Sequence, residues 1–148
     1  MYSNHKYGSK EKLFEMMYRV NLLNEEFLST KDKNKVIAHF INYCDKFLNL
    51  GGKVPKITVT YEVGLAKKNK SFGGYDTING NIAVVGTNRN LADVLRSLAH
   101  ELVHHKQKLE GRIKNDSGET GSEIENEANS TAGIIMRDYG KLNPNIFE

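Results

Sequence analysis

Two histidines four positions apart, His100 and His104, stand in the run Leu98-Ala99-His100-Glu101-Leu102-Val103-His104-His105. Residues four apart on a helix lie one turn above each other, so both imidazoles leave from one side. Leu91, Val94, Leu95, Leu98, Leu102 and Leu109 recur around the pair at helical spacing, which predicts an amphipathic helix. Asn90 is placed to cap its start, Asp93 falls in its first turn, and Gly111 is the expected stop. Two neutral nitrogen donors beside a carboxylate make the His-Glu-x-x-His pattern of a zinc site. In that pattern the glutamate, here Glu101, does not ligate but takes a proton from water.

A catalytic zinc takes a third protein ligand and keeps its fourth position for water. Neither His nor Cys follows His105, so a downstream ligand has to be Asp or Glu. Glu110 is excluded: six residues after His104 it lies about 240° around the helix axis, on the wrong face. An extended zinc motif would place a turn-forming glycine three residues after the second His, and Gln107 stands there instead. A further helix is expected to open near Ser122 and to reach about Tyr139. In it Glu125 shares a stripe with Ala128, Asn129, Ala132, Ile135, Met136 and Tyr139, whereas Glu127 shares one with Ser130, Thr131, Ile134, Arg137 and Asp138. Side-chain direction therefore favours Glu125 as the third ligand, with Glu127 as the alternative.

His100-Glu-Leu-Val-His104, followed 21 residues later by Glu125-x-x-Ala128-Asn129, resembles the two motifs of the gluzincin clan of zinc peptidases. The short chain is similar to its minimal forms, the ImmA/IrrE-type peptidases and small phage-encoded metallopeptidases. The resemblance spans roughly residues 56 to 140. It implies one zinc ion per chain held by His100, His104 and Glu125, Glu101 as general base, and Asn129 as a hydrogen-bonding partner of the ligands. Asn129 stands where many relatives carry Asp, and an amide raises ligand basicity less than a carboxylate does. Enzymes of this kind often add a second donor to the oxyanion from a Tyr or His, for which Tyr139, His105 and Tyr75 are the candidates. His105 lies about 100° around the helix from His104, which favours an exposed position outside the cleft.

The chain has 148 residues, 39% of them hydrophobic, and is expected to form one domain with a helical part over 9–50 and a zincin core over 56–140. No apolar run is long enough to span a membrane, and the polar start Met1-Tyr2-Ser3-Asn4-His5-Lys6 does not read as a signal peptide. A single cysteine, Cys44, excludes an internal disulfide and fits a reducing, cytoplasmic setting, the host's if the chain is viral. Its apolar helix face argues for a buried thiol.

Leu13, Met16, Val20, Leu23 and Phe27 predict a core-facing helix over residues 9–28. Val36, Ile37, Phe40, Ile41, Cys44, Phe47 and Leu48 predict a second over 32–49, ended by Gly51-Gly52. His39 on this helix reads as a surface or packing residue. Ile57, Val59, Tyr61 and Val63 alternate as in a strand, and Asn79-Gly80 between two extended segments, 71–77 and 81–86, signals a hairpin. Between them Ala66-Lys67-Lys68-Asn69-Lys70 reads as a solvated basic loop. The expected architecture is α+β, a compact zincin-like domain. Two N-terminal helices precede a small, mostly antiparallel sheet of about three strands, the His-Glu-x-x-His helix and a closing helix. One parallel pairing is compatible with it.

The resemblance implies a peptidase whose peptide or protein substrate adds as an extra strand along the sheet edge, here residues 71–86. The glycine-bearing stretch 111–121 reads equally as a lid or a connector. The rival reading is a zinc-stabilised binding module with no activity, contacting a partner such as nucleic acid through Lys67, Lys68, Lys70 and Arg89. A net charge of +3 permits nucleic-acid contact without arguing for it.

Overall fold

The computed structural model describes residues 30–60, 73–113 and 122–144. They form an α+β arrangement: helix α1 (Thr30–Phe47), strands β1 (Ile57–Thr60), β2 (Gly73–Tyr75) and β3 (Ile82–Val85), then α2 (Leu91–Leu109) and α3 (Glu123–Leu142). The helix expected over 9–28, the basic loop at 66–70, Tyr61 and Val63 of the first strand, and most of the 111–121 stretch lie outside the described residues.

α1 buries the face anticipated for it. Val36, Ile37, Phe40, Ile41 and Cys44 are all nearly inaccessible, while Phe47 sits at the rim rather than inside. Burial pushes the Cys44 thiol far above its ordinary pKa, as suits an inert packing residue. The helix stops earlier than Gly51-Gly52. Asn49 takes the first left-handed conformation (φ 56°), and the Leu50 N–H closes back on the Asp45 carbonyl at 3.0 Å. The Gly52 N–H then donates to Asp45 Oδ1, turning the chain toward β1.

The sheet order is β1-β3-β2, with β1 parallel and β2 antiparallel to β3. Pairing is therefore evenly mixed rather than mostly antiparallel. The tight hairpin makes β2 and β3 antiparallel, and β1 takes the other side of β3 running in the same direction (Ile57 opposite Ile82, Thr60 opposite Val85). The Asn79-Gly80 signal marks the right place, but six residues, 76–81, connect the strands. Asp76 accepts from the N–H groups of Ile78 and Asn79 and from the Asn79 side chain, and Gly80 alone takes a positive φ, 75°.

α2 begins and ends where its signals stand. Asn90 Oδ1 accepts from the Asp93 N–H at 2.9 Å, and Gly111 turns the chain out with φ 73°. Leu91, Val94, Leu95, Leu98 and Leu102 fill the centre of the core against Ile82 and Val84 of β3 and Ala128, Ala132 and Ile135 of α3. α2 packs most extensively on α3, and its other flank lies on β2 and β3. Ser122 caps α3, its hydroxyl accepting from the Glu125 N–H at 3.1 Å. Among the described residues, no helix is long and apolar enough to cross a membrane.

Candidate metal centre

Packing α3 against α2 brings Glu125 to the histidine face of α2. His100 Nε2 lies 2.9 Å from Glu125 Oε1, His104 Nε2 lies 3.2 Å from Glu125 Oε2, and the two Nε2 atoms are 3.1 Å apart. The three side chains could together hold one metal ion. All three are partly buried, so the cluster is protected yet reachable. Ligand atoms about 2.0–2.1 Å from a tetrahedral zinc lie about 3.3 Å from one another, close to the spacings found here. Two imidazoles and one carboxylate are a donor set that zinc accepts in chemistry as well as in size.

Each histidine has a further side-chain partner. Asn129, one turn beyond Glu125 on α3, hydrogen-bonds His100 through its side chain. Burial lowers the His100 pKa, opposed by the Glu125 carboxylate, and so favours the neutral form a metal requires. His104 is held by a residue that sequence reasoning passed over. Gln107 is fully buried and its Oε1 lies 2.8 Å from His104 Nδ1. In the sequence Gln107 reads only as the residue standing where an extended zinc motif carries glycine. Its position three residues after a ligand, on the same helical face, was the signal that could have found it.

Glu127, the alternative ligand, points elsewhere. Both its oxygens accept from Arg112 at 2.9 Å, Oε1 also accepts from Gln107, and these bonds hold its carboxyl below the usual range. Helix direction separates the two glutamates as the stripes predicted.

Glu101 leaves α2 about 100° around the axis from His100 and about 60° from His104, on the flank facing β2. A Cβ built on Gly73 would lie 3.4 Å from Glu101 Oε1, so the absence of a side chain there leaves room above the carboxylate. Glu101 is 7% exposed, and burial together with the nearby Glu125 charge pushes its pKa up to about 7. A carboxylate in that environment readily accepts a proton.

The three candidates for a second oxyanion donor are all otherwise engaged. Tyr139 is fully buried, packs edge-on against Phe40 and Tyr43, and its hydroxyl lies 2.9 Å from His39 Nδ1. Fourteen residues beyond Glu125, it is about 21 Å along the helix axis from the metal cluster. His105 is not exposed: β2 covers that flank, leaving it 8% accessible. Its Nε2–H donates to the Lys53 carbonyl at 2.8 Å, so Nδ1 is the acceptor for the Tyr75 hydroxyl at 2.9 Å. Tyr75 thereby commits its only hydrogen.

Of the basic residues that a binding surface would use, Arg89 is committed internally, bridging the Val85 and Asp93 carbonyls and the Ser97 hydroxyl. Lys67, Lys68 and Lys70 lie outside the described residues. Comparison with protein-family models, curated proteins and solved structures returns no match.

Proposed function

We propose that the chain is a zinc-dependent peptidase in which His100, His104 and Glu125 hold the metal and Glu101 is the general base. The observation that carries the reading is the convergence of those three donors from two helices, with a buried, proton-seeking carboxylate on the adjoining flank. Zinc bound there would polarise a carbonyl oxygen and lower the pKa of a water to about 7. Glu101 would accept the proton of a water attacking the peptide carbonyl and would return it to the departing amine.

β2 lies at one edge of the sheet among the described residues and passes directly over Glu101. A substrate in extended conformation, added beside β2, would present its backbone to the base. This mode reads main chain first and leaves side-chain preference to shallow pockets. Gly73 and Gly74 keep that strand free of side chains where the approach is closest.

Glu101→Gln tests the reading with a peptide pool derived from a proteome. Zinc should remain near one per chain while hydrolysis falls by roughly 10²–10⁴-fold, the range for losing a general base. Unchanged turnover in that variant would remove Glu101 from the mechanism. A chain that binds no zinc would overturn the whole assignment.

A further inference from the structure

Gln107, in the last turn of α2 on the face of His100 and His104, is a side chain with no exposure, and every polar atom it carries is used. Its Nε2 donates one hydrogen to the Ile124 carbonyl at 3.0 Å and the other to Glu127 Oε1 at 3.0 Å. Both partners are acceptors only, so the amide cannot be flipped, and its Oε1 must face His104. An amide oxygen only accepts, which makes His104 Nδ1 the donor at 2.8 Å. A neutral imidazole with its hydrogen on Nδ1 has its lone pair on Nε2, the atom turned toward His100 and Glu125. Glu127 is in turn fixed by both guanidinium nitrogens of Arg112, just past the end of α2. Donation thus runs from His104 through Gln107 to Glu127, where Arg112 donates from the other side, and the assignment is self-consistent.

We infer that Gln107 is a positioning residue that locks His104 in the Nδ1–H tautomer, and that Glu127 and Arg112 act through it by fixing which way its amide faces. Glu127 then belongs to the metal site without touching the ion. This rests on the metal-site reading above but not on peptide hydrolysis, and its primary readout needs no metal.

The decisive measurement is nitrogen NMR of His104 in the metal-free protein above pH 8, with zinc affinity by chelator competition alongside. The parent should show Nδ1–H at His104. Gln107→Met, which keeps the volume and removes the acceptor, should show a mixture of tautomers and bind zinc about 10–100-fold more weakly. A second variant guards against a mere packing defect. Gln107→Glu keeps an oxygen acceptor facing His104 Nδ1 and removes only the donor to the Ile124 carbonyl and Glu127. It should keep the Nδ1–H tautomer while lowering stability, which separates the acceptor from the packing. A parent-like tautomer in Gln107→Met would overturn the inference whatever its zinc affinity. So would a Gln107→Glu variant that folds but loses the Nδ1–H tautomer. A parent that binds no zinc at all would instead strike the metal-site reading, leaving the tautomer result to stand by itself.

Discussion

His104 and His105 are neighbours on one helix, and the structure puts them to opposite uses. On the flank facing α3, the back nitrogen of His104 is held by Gln107, and its front nitrogen is left to meet His100 and Glu125. On the flank facing β2, both nitrogens of His105 are occupied, one by the Lys53 carbonyl and one by the Tyr75 hydroxyl. A ligand histidine needs one nitrogen satisfied and one left with a lone pair. A structural histidine needs both satisfied, because an unpaired polar atom in a buried site costs about 1–3 kcal/mol. The residue type is the same, and the surroundings decide whether it can bind metal. The same distinction separates Glu125, facing two imidazoles, from Glu127, neutralised by Arg112.

The largest expected effect separates the two histidines directly. His104→Ala should cost more than about 100-fold in zinc affinity, beyond what the loss of an outer partner produces, and should reduce hydrolysis to background. His105→Ala should keep one zinc per chain and instead lower stability by about 1–3 kcal/mol, read as a fall in Tm, because the Lys53 carbonyl and Tyr75 lose their partner. Equal loss of zinc from both variants would erase the distinction between the flanks.

Next in size is the pH dependence that Glu101 imposes on the metal-free protein. Its folded pKa, about 7, is above the ordinary value of 4.5, so the folded state binds the proton more tightly than the unfolded chain does. The stabilising contribution is fully present below about pH 4.5 and is lost as pH rises through 7. Glu101→Gln removes the titration. The variant should therefore be more stable than the parent by an amount on the order of 3 kcal/mol at pH 8, shrinking toward zero near pH 4.5. Denaturant melts of both proteins in chelator across that range make the measurement. Parallel pH profiles would mean that Glu101 is not buried as described.

Much of the site follows from local rules that work within a few residues. Asn90 and Ser122 read as helix starts because capping is a contact across three residues, and both caps are present. Glu125 could be preferred to Glu127 because two residues on a helix differ by about 200° in direction, and only one of them shares a stripe with Ala128 and Ile135. What was illegible depends on distant partners. His105 read as exposed because nothing near it in the chain announces that β2 will cover that flank. The parallel β1–β3 pairing joins segments 25 positions apart, and alternation alone carries no direction. Tyr139 kept its candidacy until its burial among Phe40 and Tyr43 placed it in the core.

A smaller effect tests whether the β2 flank takes part in chemistry at all. Tyr75→Phe removes one hydrogen bond, to His105, and should destabilise the protein by about 1 kcal/mol. Zinc content and the rate of hydrolysis should stay near those of the parent, since the hydroxyl hydrogen is already committed. A drop in turnover of about 100-fold without a change in Tm would return Tyr75 to the role of oxyanion donor.

The finest contrast compares the two helix caps. Asn90→Ala and Ser122→Ala each remove one side-chain acceptor from a first-turn N–H and should each cost about 1 kcal/mol in unfolding experiments. Their effects on the metal should differ. The N–H capped by Asn90 belongs to Asp93, at the far end of α2 from the histidines, so its loss should leave zinc affinity unchanged. The N–H capped by Ser122 belongs to Glu125 itself, so fraying there frees the backbone of a ligand and should weaken zinc binding by a few-fold. If both variants bind zinc like the parent, Glu125 is held by its packing against α2 rather than by the start of its own helix. If both weaken it equally, the metal responds to overall stability, and the contrast between the two flanks loses its local basis.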